Sequence, residues 1–453
     1  MKNQDIEIDK VLKNDLCVGC GSCVLNEKKN FMKFNNVGQY IPIIKKKKDL
    51  IKNDKFCPFS KNSLNEDKIS RKIFNIKKMH FNQNLGNFNS VYVGYDKSKS
   101  NFRMNGSSGG LTSWIINELM SERLIDAFIS VGWCNKKKIF EYKIFTNIKD
   151  VKRSSKTRYY PVEFSNVLKK IDPSKKYAFV GVPCYVKALR NHSFNNPTIK
   201  YSIRYYISIL CGHQKNKLYF DNILQTLKIS KKKVIDFDFR KKIINQSANK
   251  YGISLEQKNK FITTSANNIF GADWGLNFFK YKACDFCDDI AGETADISFG
   301  DAWLKNEVRD YRGHNIIITR NKKLNEILNL ASRKNEIFLR KSNSKELYNS
   351  QQSSFRHRRE GLAIRINILK ASGYWYPKKR VFKNLKNINN NRIKVYNQRI
   401  ILQNLSNTLY KKKYFYLKII FQVTKYYFYS KKLIKFLIKE FIRFLKIRLI
   451  FFN

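Results

Sequence analysis

Lys176-Tyr177-Ala178-Phe179-Val180-Gly181-Val182-Pro183-Cys184 decides the architecture of this chain. A short apolar run suited to a buried strand ends in Gly-Val-Pro-Cys, and helical spacing follows through Val186, Leu189 and Arg190. That is the strand-then-helix unit of an α/β sheet. Ser202 to Leu210 repeats the design and ends at Cys211-Gly212-His213, and Ala295-Asp296-Ile297-Ser298-Phe299 repeats it before Gly300-Asp301-Ala302-Trp303. Ligands of open α/β sheets collect at the carboxyl ends of strands, so Cys184, Cys211 and Asp301 are expected around one pocket.

Upstream, Ser90-Val91-Tyr92-Val93-Gly94-Tyr95 reads as a strand, and Asn105-Gly106-Ser107-Ser108-Gly109-Gly110 runs straight into Leu111, Trp114, Ile115 and Leu119 at helical spacing. Free N–H groups at such a helix start can seat a phosphate, although Gly and Ser also cap helices with no ligand. Asn62 to Asn89, rich in Lys and Asn without periodicity, is expected to be a connector.

The chain has 453 residues and nine cysteines. Eight form two groups: Cys17, Cys20, Cys23 and Cys57, then Cys184, Cys211, Cys284 and Cys287. Cys134, inside Val131-Gly132-Trp133-Cys134, is expected as a buried apolar side chain. Three thiols at x2 spacing, with a distant fourth followed by proline in Cys57-Pro58, follow the iron–sulfur habit, whereas zinc more often takes two separate Cys-x2-Cys arms. Zinc or plain reduced thiols are the alternative. In the second group Cys284-Asp285-Phe286-Cys287 is a ligand pair, while Cys184 and Cys211 are single cysteines of a kind common in cores. Met1 to Lys10 is polar and charged, so the expectation is a reducing cytoplasm without a disulfide framework.

Lys and Arg number 89 against 35 Asp and Glu, a formal charge of +54. Nucleic acid, anionic lipid and acidic protein partners all come into consideration. The lysines run along the whole chain among Asn, Ile and Tyr, which a compositional bias would also produce. The excess is concentrated in Thr408 to Asn453, with twelve Lys or Arg and Glu440 alone against them. Lys432, Lys435, Lys439, Arg443 and Lys446 would form one stripe of a helix, suited to a membrane interface or to docking on the body of the protein. A peripheral membrane contact through this tail is therefore one expectation, but no run of 18 uncharged apolar residues suggests a spanning helix.

In order along the chain, these landmarks resemble the beta subunit family of coenzyme F420 hydrogenase/dehydrogenase. The resemblance covers roughly Asp15 to Arg320. It rests on the Cys17 to Cys23 opening, Gly38-Gln39-Tyr40-Ile41-Pro42, Cys57-Pro58, Gly106-Ser107-Ser108-Gly109-Gly110 and Arg158-Tyr159-Tyr160-Pro161. It continues through Gly181-Val182-Pro183-Cys184, Cys211-Gly212-His213, Phe239-Arg240, Cys284 to Asp289 and Glu293 to Trp303. A fourth cysteine just after the third, frequent in ferredoxin-like openings, is missing from Val24-Leu25-Asn26-Glu27, which makes Cys57 the needed ligand.

The resemblance implies an α/β (α+β) fold with an iron–sulfur, ferredoxin-like module at 1–70 and beta-subunit domains at 85–175 and 176–345, the latter carrying the second cysteine set. A basic, amphipathic helical extension at 346–453 follows. It further implies one or two [4Fe-4S] clusters on Cys17, Cys20, Cys23, Cys57, Cys184, Cys211, Cys284 and Cys287, and FAD. Backbone N–H groups of Gly19, Gly21 and Gly212 are candidate donors to sulfur. Gly106, Ser107, Ser108, Gly109 and Gly110 are candidates for the cofactor, and Arg158 and Arg240 for the flavin phosphates or an anionic substrate. His213 and Asp301, placed by the strand ends, are the candidate proton donors.

The expected activity is an oxidoreductase passing electrons between a ferredoxin or other redox protein and a small-molecule or glycan-precursor acceptor, in the branch associated with cell-surface polysaccharide. The alternative is an electron-transfer subunit of a larger complex, without its own substrate site. A nucleic-acid binder with structural zinc is discounted, because it leaves the Gly181-Val182-Pro183-Cys184 and Gly300-Asp301 loops without a role.

Overall fold

The computed structural model describes residues 6–258, 260–380, 385 and 388–410. Eight strands form one mixed sheet: β1 (Ser90–Asp96), β2 (Ala127–Cys134), β3 (Ile139–Phe145), β4 (Tyr177–Gly181), β5 (Ile203–Ile209), β6 (Ile297–Asp301), β7 (Asn315–Thr319) and β8 (Ile337–Ser342). Their order is β8-β1-β7-β6-β5-β4-β2-β3. The run β6-β5-β4-β2 is parallel, with Ile297 opposite Ile207, Phe179 opposite Tyr206 and Ile129 opposite Phe179. The flanking pairs are antiparallel. Carboxyl ends of four neighbouring strands therefore lie along one edge, where Asp301 ends β6 and Cys211 and Cys184 follow β5 and β4.

The strand β4 is buried along its whole length, as a near-continuous apolar run at the centre of a two-faced sheet should be. Alternation assigns its residues to two cores. Ala178 and Val180 meet Leu111, Trp114, Ile115 and Leu119 of helix α1 (Leu111–Ser121). Phe179 faces Val186, Ala188 and Leu189 of helix α2 (Pro183–Ser193), where Cys20 and Phe164 also pack. Pro183 opens α2 at a position whose N–H would have no helical partner.

A smaller antiparallel sheet of Asp236–Lys241, Gly252–Gln257 and Lys260–Ser265 packs Phe237, Phe239 and Leu255 against Tyr219 and Phe220. The cysteine-bearing start of the chain has a helix, Glu7–Lys13, a hairpin of Phe31–Phe34 with Tyr40–Ile43, and a second helix, Lys47–Asn53.

Two stretches differ from their sequence reading. The expected connector at 62–89 contains a helix, Glu66–Ile73, and a hairpin of His80–Asn82 with Gly86–Phe88. The helix is started by the Asn65 side chain, which accepts from the Lys68 N–H (2.9 Å), and held by charge rather than by an apolar stripe. Glu66 is buried and pairs with Lys187 (3.2 Å) and Arg380 (3.0 Å).

The second difference concerns residues beyond 345. Helix α3 (Ser344–Ser350) leads into α4 (Gln352–Ala371), which is buried at His357, Arg358, Arg359, Leu362 and Arg365, and α5 (Asn390–Leu409) packs against it. The start of the extension is thus part of the core. The basic stripe from Lys432 to Lys446 lies outside the described residues. Among the described residues no helix is long and apolar enough to cross a membrane.

Arg380 ties three segments together. Its guanidinium meets Glu66 (3.0 Å) and Asp67 (3.0 Å) of the early helix, and Glu293 (2.5 Å) in the loop before β6. Removing one partner of a buried ionic cluster leaves uncompensated charge. Arg380→Ala is expected to cost about 3–5 kcal/mol, seen as a lower urea midpoint with an unchanged slope.

Candidate functional site

Cys17, Cys20, Cys23 and Cys57 line a single small cavity of about 20 Å3, closed by Met32, Pro58 and Phe59. The loop that carries the first three turns at Gly19 (φ 72°) and Gly21 (φ 87°), in the left-handed region that glycine adopts without strain. At Gly21 a Cβ would also stand 2.7 Å from Glu163 Oε2 and 3.1 Å from the Ser165 N, so no side chain fits. Cys57 arrives from a 3-10 turn, Asp54–Phe56. Two contacts hold it: Ser22 Oγ donates to the Phe56 carbonyl (3.1 Å), and the Ile8 N–H donates to Asp54 (3.0 Å).

The Gly19 N–H points at Cys17 Sγ (3.4 Å). Burial pushes Cys17 up to about 12 and Cys57 up to about 11. Such buried thiols shed their protons only to a cationic core, which is the chemistry of metal thiolates. All nine cysteines are unpaired.

The second set is assembled from three places. Cys184 lies in the first turn of α2, Cys211 follows β5, and Cys284 and Cys287 flank Asp285-Phe286 on a turn at Lys282–Phe286. Cys287, Cys211 and Cys284 all lie within electrostatic reach of Cys184, and burial pushes Cys184 well up. Gln214 donates to two of the sulfurs, from its N–H to Cys284 (3.3 Å) and from Nε2 to Cys184 (3.7 Å). Among the described residues no group of three or more His, Cys, Asp or Glu side chains could hold a single metal ion.

The two sets are neighbours. Cys20 belongs to the core cluster against which Cys57, Cys184 and Cys287 pack. Tyr281 is fully buried with Cys17 and Cys284 both within electrostatic reach, and Tyr185 has Cys184 and Cys20. Tyr185 is held by its hydroxyl, which donates to the Val162 carbonyl (2.7 Å) and lies 3.1 Å from that of Val18.

Cys211 also lies in the wall of a chamber of about 760 Å3. That is the size range of cofactor and substrate sites, about 300–1,000 Å3. A smaller space of about 230 Å3, reaching Gly106, Ser107, Ser108 and Gly110, shares Arg158, Val182, Gln214, Arg240 and Asp301 with it. Gly109 is not in these walls: a Cβ there would meet the Asn315 N at 2.6 Å and the Gly94 carbonyl at 2.7 Å, so this glycine serves packing against β1 and β7. The serine hydroxyls are engaged by protein. Ser107 Oγ accepts from the Thr157 N–H (2.8 Å) and Ser108 Oγ donates to the His314 carbonyl (2.6 Å).

Buried polar atoms without partners surround the chamber: Arg158 Nε, Tyr160 Oη, His213 Nε2 and Arg240 Nε. Arg158 is otherwise fixed by donating to the carbonyls of Ser155 (2.9 Å) and Phe237 (3.3 Å). Lining cations are Arg158, Lys215, Arg240, Lys305, Arg356 and Arg399, against the carboxylate of Asp301. Trp274 and Trp303 supply flat apolar surface. An anionic group with a planar ring fits this donor set, as a flavin nucleotide would.

The two candidate proton donors are arranged differently from their sequence reading. Asp301 forms an ion pair with Arg240 (2.6 Å), which also lies over the Tyr251 and Trp303 rings. Asp301 Oδ2 accepts from Arg240 Nη1. His213 packs against Trp274, and burial together with Lys215 and Lys280 pushes it well below its usual range, so the imidazole is neutral. Cys134, expected to be buried, is half-buried beside Glu141 and donates to it.

Sequence reasoning missed Arg358, Lys215 and Trp274. Arg358 stands in Arg356-His357-Arg358-Arg359, a cluster hidden by the general Lys and Arg excess, and Lys215 lies two residues after His213.

Fold and site together define a thiol-rich α/β protein with a large cation-lined chamber. The chain matches the family described as "Coenzyme F420 hydrogenase/dehydrogenase, beta subunit", its N-terminal part over residues 91–169 and its C-terminal part over residues 174–345. It belongs to that oxidoreductase-type, electron-transfer family. Its structure is similar to a chain of the F420-reducing [NiFe] hydrogenase complex from Methanosarcina barkeri, with a TM-score of 0.50 and 16% sequence identity, covering 66% of this chain and 99% of that one. At this identity the likeness concerns the fold. No curated protein matches the sequence.

Burial pushes Lys215 down to about 7, so its charge is present below that pH and lost above it. Binding of an organic anion in the chamber is expected to weaken roughly tenfold, or about 1.4 kcal/mol, as pH rises through that value. Lys215→Met should bind weakly at both pH extremes, which titration with FAD at pH 6 and pH 8 would read from flavin fluorescence.

Proposed function

We propose that this chain is an iron–sulfur flavoprotein oxidoreductase that passes electrons between a ferredoxin-type protein and an anionic organic acceptor. One observation carries the reading: Tyr281 has Cys17 and Cys284 within electrostatic reach, Tyr185 has Cys184 and Cys20, and Cys211 lines the cation-lined chamber, so both cysteine sets and the chamber lie close together. Cys17, Cys20, Cys23 and Cys57 would hold one [4Fe-4S] cluster, and Cys184, Cys211, Cys284 and Cys287 a second. When bound, clusters carry single electrons and a flavin converts between one- and two-electron chemistry.

The residues of the chain do the rest. Arg158 and Arg240 offer unpaired N–H groups to phosphate or carboxylate, Asp301 fixes Arg240, and Trp274 and Trp303 offer surface for a ring. The neutral His213 presents its buried, unpartnered Nε2 beside that ring, as a hydrogen-bond donor or acceptor according to its tautomer. A phosphorylated glycan precursor would satisfy the same chemistry. Nine unpaired cysteines suit a reducing compartment.

A second reading is favoured by the similarity to a chain of a multi-subunit hydrogenase complex. The chain would then relay electrons for a catalytic partner and turn over only once that partner is added.

Anaerobic isolation with iron, sulfide, zinc and flavin counted per chain tests the proposal. The expected result is about eight iron and one FAD, falling to about four iron in Cys17→Ser and again in Cys284→Ser. Zinc without flavin would overturn it, and reduction of an organic acceptor by the isolated chain separates the two readings.

A further inference from the structure

Arg358 lies on α4, beyond residue 345 where the family match ends. The residue is 1% exposed, and its side chain reaches into the second cysteine set. Nη1 donates to the Cys287 carbonyl (3.3 Å), and Nη2 to those of Cys211 (3.2 Å) and Gly212 (2.6 Å). Its Nε is buried without a partner. Its charge lies within electrostatic reach of the sulfurs of Cys287, Cys284, Cys211 and Cys184. One fixed cation thus stands among the four ligand positions and grips the backbone at Cys211 and Cys287.

Its neighbours on the helix behave differently. Arg359 donates to the Asp288 carbonyl (2.6 Å) and has Glu293 and Asp288 as its opposing charges. Arg365 donates to the Asp285 carbonyl (2.9 Å), with Asp285 as its main counterion. Only Arg358 of these three has sulfur as its counterion. Lys280 adds a weaker positive influence on Cys284, and Lys379 lies near Cys287.

We propose that Arg358 is the countercharge and positioning residue of the second cysteine set, raising the reduction potential of the cluster held there above the value that four thiolates alone would give. This rests on the two-cluster reading above. Each electron added to such a site adds one negative charge with no bond made or broken, and a buried cation favours the more negative state. The planar guanidinium does two jobs at once: its fork fixes the Cys211-Gly212 and Cys287 backbones, and its charge faces the sulfurs.

The test is a redox titration of the anaerobically isolated, iron-loaded chain, with each cluster followed by its paramagnetic resonance signal. Arg358→Gln is expected to disfavour reduction of the second cluster by tenfold or more, a downward shift of 59 mV per tenfold for a one-electron couple. The first cluster should not move. Arg358→Lys, which keeps the charge and loses the fork, should restore most of the potential while the second site loses iron faster to a chelator. If Arg358→Gln does not retain iron at the second site, the lysine variant decides: a wild-type potential supports the proposal and a potential lowered by tenfold or more overturns it. Eight iron per chain with an unshifted second cluster in Arg358→Gln overturns the proposal alone. Four iron in the unmodified chain overturns the two-cluster reading and the proposal with it.

Discussion

A single buried carboxylate organises the site. Asp285 sits between Cys284 and Cys287 and is 2% exposed. Lys280 (2.5 Å), His357 (3.1 Å) and Arg365 (3.7 Å) converge on one of its oxygens. Burial alone would raise its pKa, but Lys280 and Arg365 hold it well below the usual carboxylate range. An isolated buried carboxylate would cost several kcal/mol, so the cysteine turn is stable only where these partners are in place. Two of the three come from α4. The helix then secures the turn a second time, through arginine donors to the carbonyls of Asp285, Cys287 and Asp288.

This dependence explains why the residues beyond the matched family region are not an appendage. The sheet can deliver Cys184, Cys211 and Asp301 to one edge by strand direction alone, because β4, β5 and β6 are parallel neighbours. It cannot position Cys284 and Cys287, which sit on a turn outside the sheet. Helices α3 and α4 close that gap: Ser350 and Gln351 donate to the Asp301 carbonyl (3.1 and 2.7 Å), while Arg358 links Cys211 to Cys287. The chamber and the second cysteine set thus share one wall.

What was legible in the sequence was whatever depends on local pattern. The strand that ends in Gly181-Val182-Pro183-Cys184 and the helix from Leu111 were readable because burial on both sheet faces leaves continuous apolar runs and helical burial leaves a period. Gly109 was not readable as a packing residue, since its neighbours Asn315 and Gly94 are distant in sequence. The helix Glu66–Ile73 was missed because a cap and buried ion pairs, not an apolar stripe, hold it. Asp301 was placed correctly on its strand end, yet its pairing with Arg240 sixty-one residues away could not be read from either segment.

The formal charge of +54 takes on a different meaning once the arginines are located. A surface that binds nucleic acid needs its arginines facing outward to phosphate. Here many face inward. Arg103 donates to the Gly313 carbonyl and pairs with Asp310, Arg320 donates to the carbonyls of Asn87 and Leu85, and Arg358 and Arg365 serve the cysteine turn. A guanidinium is always charged and carries five donors, so an internal carbonyl cluster can satisfy it without a matching acid. Charge counted along the sequence therefore overstates the charge offered to a partner. The part that does face open space in the core is the wall of the chamber, where Arg240 pairs with Asp301, Arg158 and Lys215 stand nearby, and an organic anion would complete the balance.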